Sequence, residues 1–506
     1  MSTEDDPRMR LAEDARQEVA RIDRRISIAL LITALLTLAG LFAGALQENI
    51  LPQWSLVQEQ YLQLLEEKAT DDWGKQVADR FALQVSQVVV PALGITDRCV
   101  SCHNGLDDPR MTDVDQPHSS HPGHYLEWHE ASRFGCTICH RGQGRALTFE
   151  EAKGISDDWD QPLLPPALTQ SGCGLCHSAD EVRGQGGELY AQGRDLFTRR
   201  GCQSCHKLAG RGGIAGPALD AEGSKSREAL TFANVKGPHT LAQFLAEHFD
   251  DPQGVVPGSE MKPPQLTLHE NLALTIYMLS LQDRSIPASY LSPGTHLELA
   301  EERLPGNESG AELFSRYCGV CHDTGRYGRY DDFFKLFIPA IRGKGLLSLA
   351  SSDYLAENIR RGRPGTRMPP WGEASGGLTD VEIARLVTFI RSEVQPPETA
   401  AAKKLMERTL DPDLTLRGDA LRGGAIYARH CTGCHGEEGR GTIAPAIANP
   451  VFQETASDGF LYATIALGRP DTAMPNFLGV QGMGLVDGDV RDLIAYLRSL
   501  AQGGTL

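Results

Sequence analysis

The chain has 506 residues, too many for one ordinary hydrophobic core, so several domains are expected. A formal net charge of −17 argues against a nucleic-acid partner and for soluble faces or basic partners. Charged residues are interspersed along the chain, and no acidic tail is present.

In chain order, residues 26–46 (ISIALLITALLTLAGLFAGAL) are an uncharged run of 21 residues, long enough to span a bilayer as a helix. Arg21, Arg24 and Arg25 precede it, and no Lys or Arg follows until Lys68. The positive-inside rule then places residues 1–25 in the cytoplasm and the rest outside. Ala43-Gly44-Ala45 resembles a signal-peptide cleavage site, but the 25-residue lead and the long apolar run favour an uncleaved, single-pass anchor in the inner (cytoplasmic) membrane. Residues 47–90 follow, with LVQEQYLQLLEEKA (56–69) spaced as a helix and expected to act as a stalk or packing helix.

The cysteines come next and decide the chemistry. All twelve fall into Cys-x-x-Cys-His motifs: Cys99–Cys102–His103, Cys136–Cys139–His140, Cys173–Cys176–His177, Cys202–Cys205–His206, Cys318–Cys321–His322 and Cys431–Cys434–His435. This is the attachment pattern of c-type haem: two thioethers fix the porphyrin and the adjacent His supplies an axial iron ligand. Zinc ribbons need no His after each pair, and thioredoxin-like sites occur singly. Six covalently bound haem c groups are expected. Such attachment takes place outside the cytoplasmic membrane, which agrees with the orientation read from the anchor and places the haem domains in the periplasm.

The first three motifs lie within residues 91–187, spaced 37 residues apart. So little chain per motif leaves few apolar side chains, and the porphyrins themselves must form much of that core. From about residue 188 the pattern changes to three longer units, an internal repeat. Each opens with a Gly and a helical turn before its first cysteine: GRDLFTRRGC (193–202), GAELFSRYC (310–318) and GGAIYARHC (423–431). A proline turn follows (GPAL, IPAI, APAI), then a Met beside prolines (MKPP at 261, MPPW at 368, MPNF at 474). Each unit ends in an apolar helix with a central aromatic, Tyr277, Phe389 or Tyr496.

These units resemble the class I cytochrome c fold. The resemblance implies that the first and last helices of each unit cross and that the methionine closes the haem from the far side. The expected architecture is mostly α: a transmembrane helix, a helical stalk, a loop-rich trihaem module (91–187) and three tandem class I domains at 188–284, 308–396 and 418–503. The linkers between them fall near 285–307 and 397–417. Recurrence in the repeat assigns Met261 to the haem of His206, Met368 to that of His322 and Met474 to that of His435; Met483, with no adjacent proline, is the rival for the last. Met/His ligation raises the reduction potential. In the class I fold, Pro217, Pro339 and Pro445 match the proline whose carbonyl accepts a hydrogen bond from the proximal imidazole.

The first three haems have no Met-Pro partner in reach. Met111 is followed by Thr and reads as part of a polar loop. HSSHPGHYLEWHEASRFGCTICH (118–140) holds His118, His121, His124 and His129, the natural supply of distal ligands. RCVSCHNGLDDPR, then SHP, then HEASRFGCTICHRGQG, preceded by QVSQVVVPALGITDRC, resembles the multihaem cytochromes c associated with cytochrome b/Rieske-type or alternative complex III-like quinol-oxidising complexes. The resemblance covers roughly residues 50–180. It implies that His121, of the His-Pro, and His129, seven residues before Cys136, are distal ligands. The interval LTFEEAKGISDDWDQPLLPP holds no histidine, so His124, His118, Lys153 or an open position remains for the third haem. His239, His248, His269, His296 and His430 read as structural or surface residues.

The function expected is an electron-transfer subunit, not an enzyme. It would take electrons from a cytochrome b-like quinol-oxidising complex in the bilayer and pass them to a soluble cytochrome or a terminal oxidase. The alternative is a multihaem redox enzyme, a peroxidase or a nitrogen- or sulfur-oxide reductase, with one open haem. A passive extracellular conductor fits the anchor and the class I repeats less well.

Overall fold

The computed structural model describes residues 7–49, 52–156, 159–292, 306, 308–393, 411, 414–470 and 472–503. The chain is mostly helical and packs as two units, Met1–Leu163 and Leu164–Leu506. The linker segment QPPETAAAKK and most of the linker before the second repeat lie outside the described residues.

In the first unit, α1 (Pro7–Asn49) is a single helix that carries the apolar run and the charged lead together. Its stretch Glu13–Leu46 is long and apolar enough to cross a membrane, and no part of its most apolar window is buried by protein. The hydroxyls of Thr33 and Thr37 donate to the carbonyls of Ala29 and Thr33, each at 2.9 Å, so neither is left unpaired in a hydrocarbon environment.

The second helix, α2 (Gln53–Glu67), packs against α3 (Asp72–Arg80), whose start is capped by Asp71 accepting from the Gly74 amide at 2.7 Å. Tyr61 and Leu65 of α2, Ala78 of α3 and Met111 form a small core. Met111, expected in a polar loop, is therefore fully buried at 0% exposure. Gln58, also buried, donates to the carbonyls of Ser101 and Gln84, both at 2.8 Å, which ties α2 to the first haem motif. A short antiparallel pair, β1 (Val88–Val90) and β2 (Ile95–Asp97), then leads directly into Cys99. The rest of this unit is loops and one-turn helices.

In the second unit the three repeats share one plan. Each has a first helix, a helix before the methionine loop, and a terminal helix. These are α4 (Glu188–Arg199), α5 (Leu241–Asp250) and α6 (Leu268–Ser280) in the first repeat. The second repeat has α7 (Gly310–Tyr317), α8 (Ser352–Arg361) and α9 (Asp380–Arg391). The third has α10 (Ala420–His430), α11 (Asp458–Leu467) and α12 (Asp487–Gly503).

First and terminal helices cross at the glycine that opens each repeat. A Cβ on Gly193, Gly310 or Gly423 would strike the facing backbone carbonyl of Ala273, Arg385 or Asp492. It would also lie 2.8, 2.7 or 2.9 Å from the Cβ of Tyr277, Phe389 or Tyr496. The recurrent Gly and the recurrent aromatic are thus the two sides of one crossing, where only hydrogen fits. Gly423→Val is expected to force α10 and α12 apart at a cost of about 1–3 kcal/mol, the usual penalty for overpacking. Chemical denaturation should show the transition shifted to lower denaturant; an unchanged midpoint would contradict the crossing.

The third haem motif packs in this unit too. Its 3-10 run Pro166–Leu175 joins the core of the first repeat, with Leu164 and Leu168 beside Tyr190, Leu274 and Ile276. The second and third repeats share one core from Leu313 to Leu497. At its middle the Tyr354 and Phe460 rings lie 5.0 Å apart, and Asn358 donates to Thr455 Oγ1 at 3.0 Å. The first repeat is joined to the second by ion pairs: Lys262 with Asp331 (2.8 Å), Arg367 with Glu260 (3.2 Å), and Arg211 with Glu382 and Glu308.

Candidate haem sites

All six motifs adopt the same turn. The amide of each His donates to the carbonyl of the first cysteine, at 2.9 Å for His103, 3.0 Å for His140, 2.9 Å for His177, 3.1 Å for His206, 2.9 Å for His322 and 2.9 Å for His435. One helical turn therefore holds Cys, Cys and His on one local scaffold at every motif.

In the repeats the imidazoles are oriented by carbonyls. Nδ1 of His206 donates to Pro217 O (2.9 Å), that of His322 to Pro339 O (3.3 Å) and that of His435 to Pro445 O (2.9 Å). With Nδ1 as donor, Nε2 is left with its lone pair, as an axial ligand requires. Burial pushes all three imidazoles towards the neutral form, His322 down to about 4. Burial also pushes the thiols of Cys202 and Cys318 up to about 12 and that of Cys431 to about 11, so these positions are apolar.

The three methionine loops are built alike. The amides of Met261, Met368 and Met474 each donate at 3.2 Å to a hydroxyl two residues earlier, on Ser259, Thr366 and Thr472. The carbonyls of Met368 and Met474 accept from the amides of Arg363 (2.9 Å) and Arg469 (3.0 Å). Met474 is half-buried while Met483 is 52% exposed. A continuous cavity of about 2820 Å³ runs through the unit, lined by the cysteines, histidine and methionine of all three repeats. A haem c fits what these residues offer: paired thiols, an imidazole with a free Nε2, an apolar slot and a thioether within the same cavity.

His248, read from sequence as structural or surface, faces this cavity. Its ring stacks on Phe244 with centroids 5.6 Å apart, and its Nδ1 is buried without a partner. Asn358 and Thr464 hold the matching places, each four residues after an aromatic (Tyr354, Phe460), and both line the cavity. That spacing was a signal in the repeat.

In the first unit the two motifs are interlocked. Asp97, 1% exposed, accepts from the amides of Cys136 (2.6 Å) and Thr137 (2.8 Å), so the strand entering the first motif also caps the second. Asp97 was missed in the sequence because its partners are 39 and 40 residues away.

The four histidines separate. The His121 and His140 rings face each other with centroids 6.1 Å apart and planes at 80°. Nδ1 of His121 donates to Pro122 O (2.9 Å) and Nδ1 of His129 to Tyr125 O (3.1 Å). His124 is solvent-facing and paired with Glu127 at 2.6 Å, which raises its pKa. His118 is 7% exposed, stacked on Tyr61, with Nδ1 buried and unpartnered. Lys153 is held by Glu150 at 2.8 Å. Among the described residues no three His, Cys, Asp or Glu side chains gather as a metal-ion cluster.

Known proteins agree with this geometry. The family model for cytochrome c matches residues 190–282 and 420–501, and the model for cytochrome c oxidase, cbb3-type, subunit III, matches residues 305–390. The chain is 25% identical over 213 residues to the Cbb3-type cytochrome c oxidase subunit FixP of Bradyrhizobium sp. (strain ORS 278), which covers 38% of this chain and 61% of that protein. The chain thus spans under two thirds of that relative's length. It is 28% identical over 110 residues to cytochrome c of Tetrahymena pyriformis, covering 18% of this chain and 97% of that protein. No solved structure matches. Cytochrome c domains repeated along one chain, each with its attachment turn and oriented imidazole, support a multihaem c-type cytochrome.

Proposed function

We propose that the chain binds six haems and relays electrons from a quinol-oxidising complex in the membrane to a periplasmic cytochrome or terminal oxidase. The observation that carries this reading is the identical Cys-x-x-Cys-His turn at all six motifs, three of them opening on one continuous cavity. Haem c supplies one-electron chemistry when bound.

The protein's own contribution is to hold and tune. Met261, Met368 and Met474 serve as axial ligands in the repeats. His121, opposite His140, and His129 serve in the first unit, where they favour lower potentials than Met/His ligation. The proline carbonyls fix each proximal ring. The three repeats are assigned to 188–284, 308–396 and 418–503, while the expected trihaem module (91–187) divides, since its third motif packs with the first repeat; α1 serves as the anchor, its N-terminus in the cytoplasm and the haem domains in the periplasm. Likeness to an oxidase subunit supports an oxidase on the acceptor side.

The full chain, gently solubilised from membranes, is expected to carry six haems by pyridine haemochrome assay and to bring a b-type haem protein with it. Fewer haems would break the count. Recovery alone would sink the complex-subunit assignment.

A further inference from the structure

Many arginines in the second unit find carboxylates, and others, such as Arg385 and Arg391, are held by backbone carbonyls. Arg211, Arg342, Arg360, Arg361, Arg367 and Arg498 are all ion-paired. Arg363 and Arg469 are not: among the described residues neither has a carboxylate partner, and the Nε atoms of both are buried and unpartnered. They hold matching places in two repeats, five residues before Met368 and Met474 and just before a proline.

Both line the haem cavity. Arg363, from the second repeat, reaches into the third. Its Cζ lies 5.1 Å from the Phe452 ring centroid, and its Nη2 is 3.5 Å from Ala446 O, next to the proline that orients His435. Arg469 answers from the third repeat. Its Cζ lies 5.7 Å from the Phe460 ring, which packs at a tilt against Tyr354 of the second repeat. The next residue, Pro470, packs so tightly on Gly345 of the second repeat that a Cβ there would sit 2.6 Å from its carbonyl oxygen. Burial holds Arg469 below the usual guanidinium range.

Two half-buried cations that face one cavity without counter-charge are unfavourable unless an anion joins them. The cavity they face is lined by the attachment motifs of all three repeats, and each haem c would bring two propionate carboxylates. Guanidinium is the side chain suited to bind carboxylate in a fork.

We propose that Arg363 and Arg469 form one carboxylate-binding site, shared by the propionates of the haems attached at Cys318/Cys321 and at Cys431/Cys434. This rests on the haem reading of those two motifs. It couples the two centres electrostatically. Reduction removes one positive charge from an iron, so a fixed cation beside its propionate favours the reduced form. Loss of either arginine should lower both potentials.

The test is redox titration of the full holoprotein as Arg363→Gln, Arg469→Gln and the Lys counterpart of each. Each Gln variant is expected to shift two haem components together by about tenfold in the ferrous/ferric ratio at fixed applied potential, ~59 mV for a one-electron couple. The Lys variants, which keep the charge, should recover most of the shift. If the Gln variants do not accumulate, the shorter reach of Lys should still move two components by a smaller amount. Haem bound at both motifs with neither component moved, or only one, would overturn the shared site. Peptide mass analysis showing no haem on Cys318/Cys321 or Cys431/Cys434 would instead overturn the haem reading itself.

Discussion

Met474→Leu in the holoprotein should lower the potential of one haem component by on the order of 100 mV, since axial ligand identity spans about 0.8 V across haem proteins. Leucine fills the same space but offers no lone pair, so the iron also loses its sixth strong-field ligand. Met261→Leu and Met368→Leu should do the same to two other components. The loops give the reason. Each Met amide is pinned at 3.2 Å by a Ser or Thr hydroxyl two residues back, a device that fixes where the thioether enters the cavity. Met483→Leu is the control, because that side chain is 52% exposed and should leave all potentials in place. Spectroelectrochemical titration with electron paramagnetic resonance reads both effects. An unchanged potential and an unchanged low-spin signal would remove that methionine from the ligand set.

Arg211→Met should cost about 3–5 kcal/mol, the usual penalty for leaving one member of a buried ion pair alone. Arg211 belongs to the first repeat, and its partner Glu382 to the start of α9 in the second. Their side chains are 8% and 1% exposed. Glu382 is doubly committed, since it also accepts from the Thr379 amide at 2.9 Å as part of the α9 capping box. The loss should appear as a lower denaturation midpoint. Adding Glu382→Gln to Arg211→Met keeps the cap and removes the stranded charge, so it should restore much of the stability. A single variant costing under about 1 kcal/mol would mean that the pair is solvated and does not join the repeats.

Much of the site was legible because haem attachment is written locally. Cys-x-x-Cys-His fits within one helical turn, so six motifs read from sequence became six identical turns. The Met-Pro loops, the proline turns and the Gly-aromatic crossings were equally readable, because a threefold repeat separates constrained positions from filler. The histidine run was only partly readable. Sequence placed four histidines in twelve residues; packing alone set His121 against His140, buried His118 on Tyr61 and left His124 to Glu127. Met111 looked polar by its neighbours and is core by its contacts, since α2 covers it. His248 was set aside because one histidine carries no signal until its helix is seen to face the cavity.

By itself the sequence determined the chemistry: which sulfurs and imidazoles are offered, in what order, behind an apolar N-terminal segment. These depend on spacings of a few residues, and chain geometry over such distances is nearly fixed. The tertiary structure decided what each group faces. It gave Asp97 to a motif 39 residues away and packed the third motif against the first repeat. It also set Arg363 and Arg469, 106 residues apart, beside one cavity without counter-charge. The partners of Asp97 and of the third motif lie at separations that carry no period, whereas the 106 residues between the two arginines are the repeat spacing itself, as between Met368 and Met474. Only the burial of shared apolar surface brings them together, and only then does the cost of an unpaired buried charge arise.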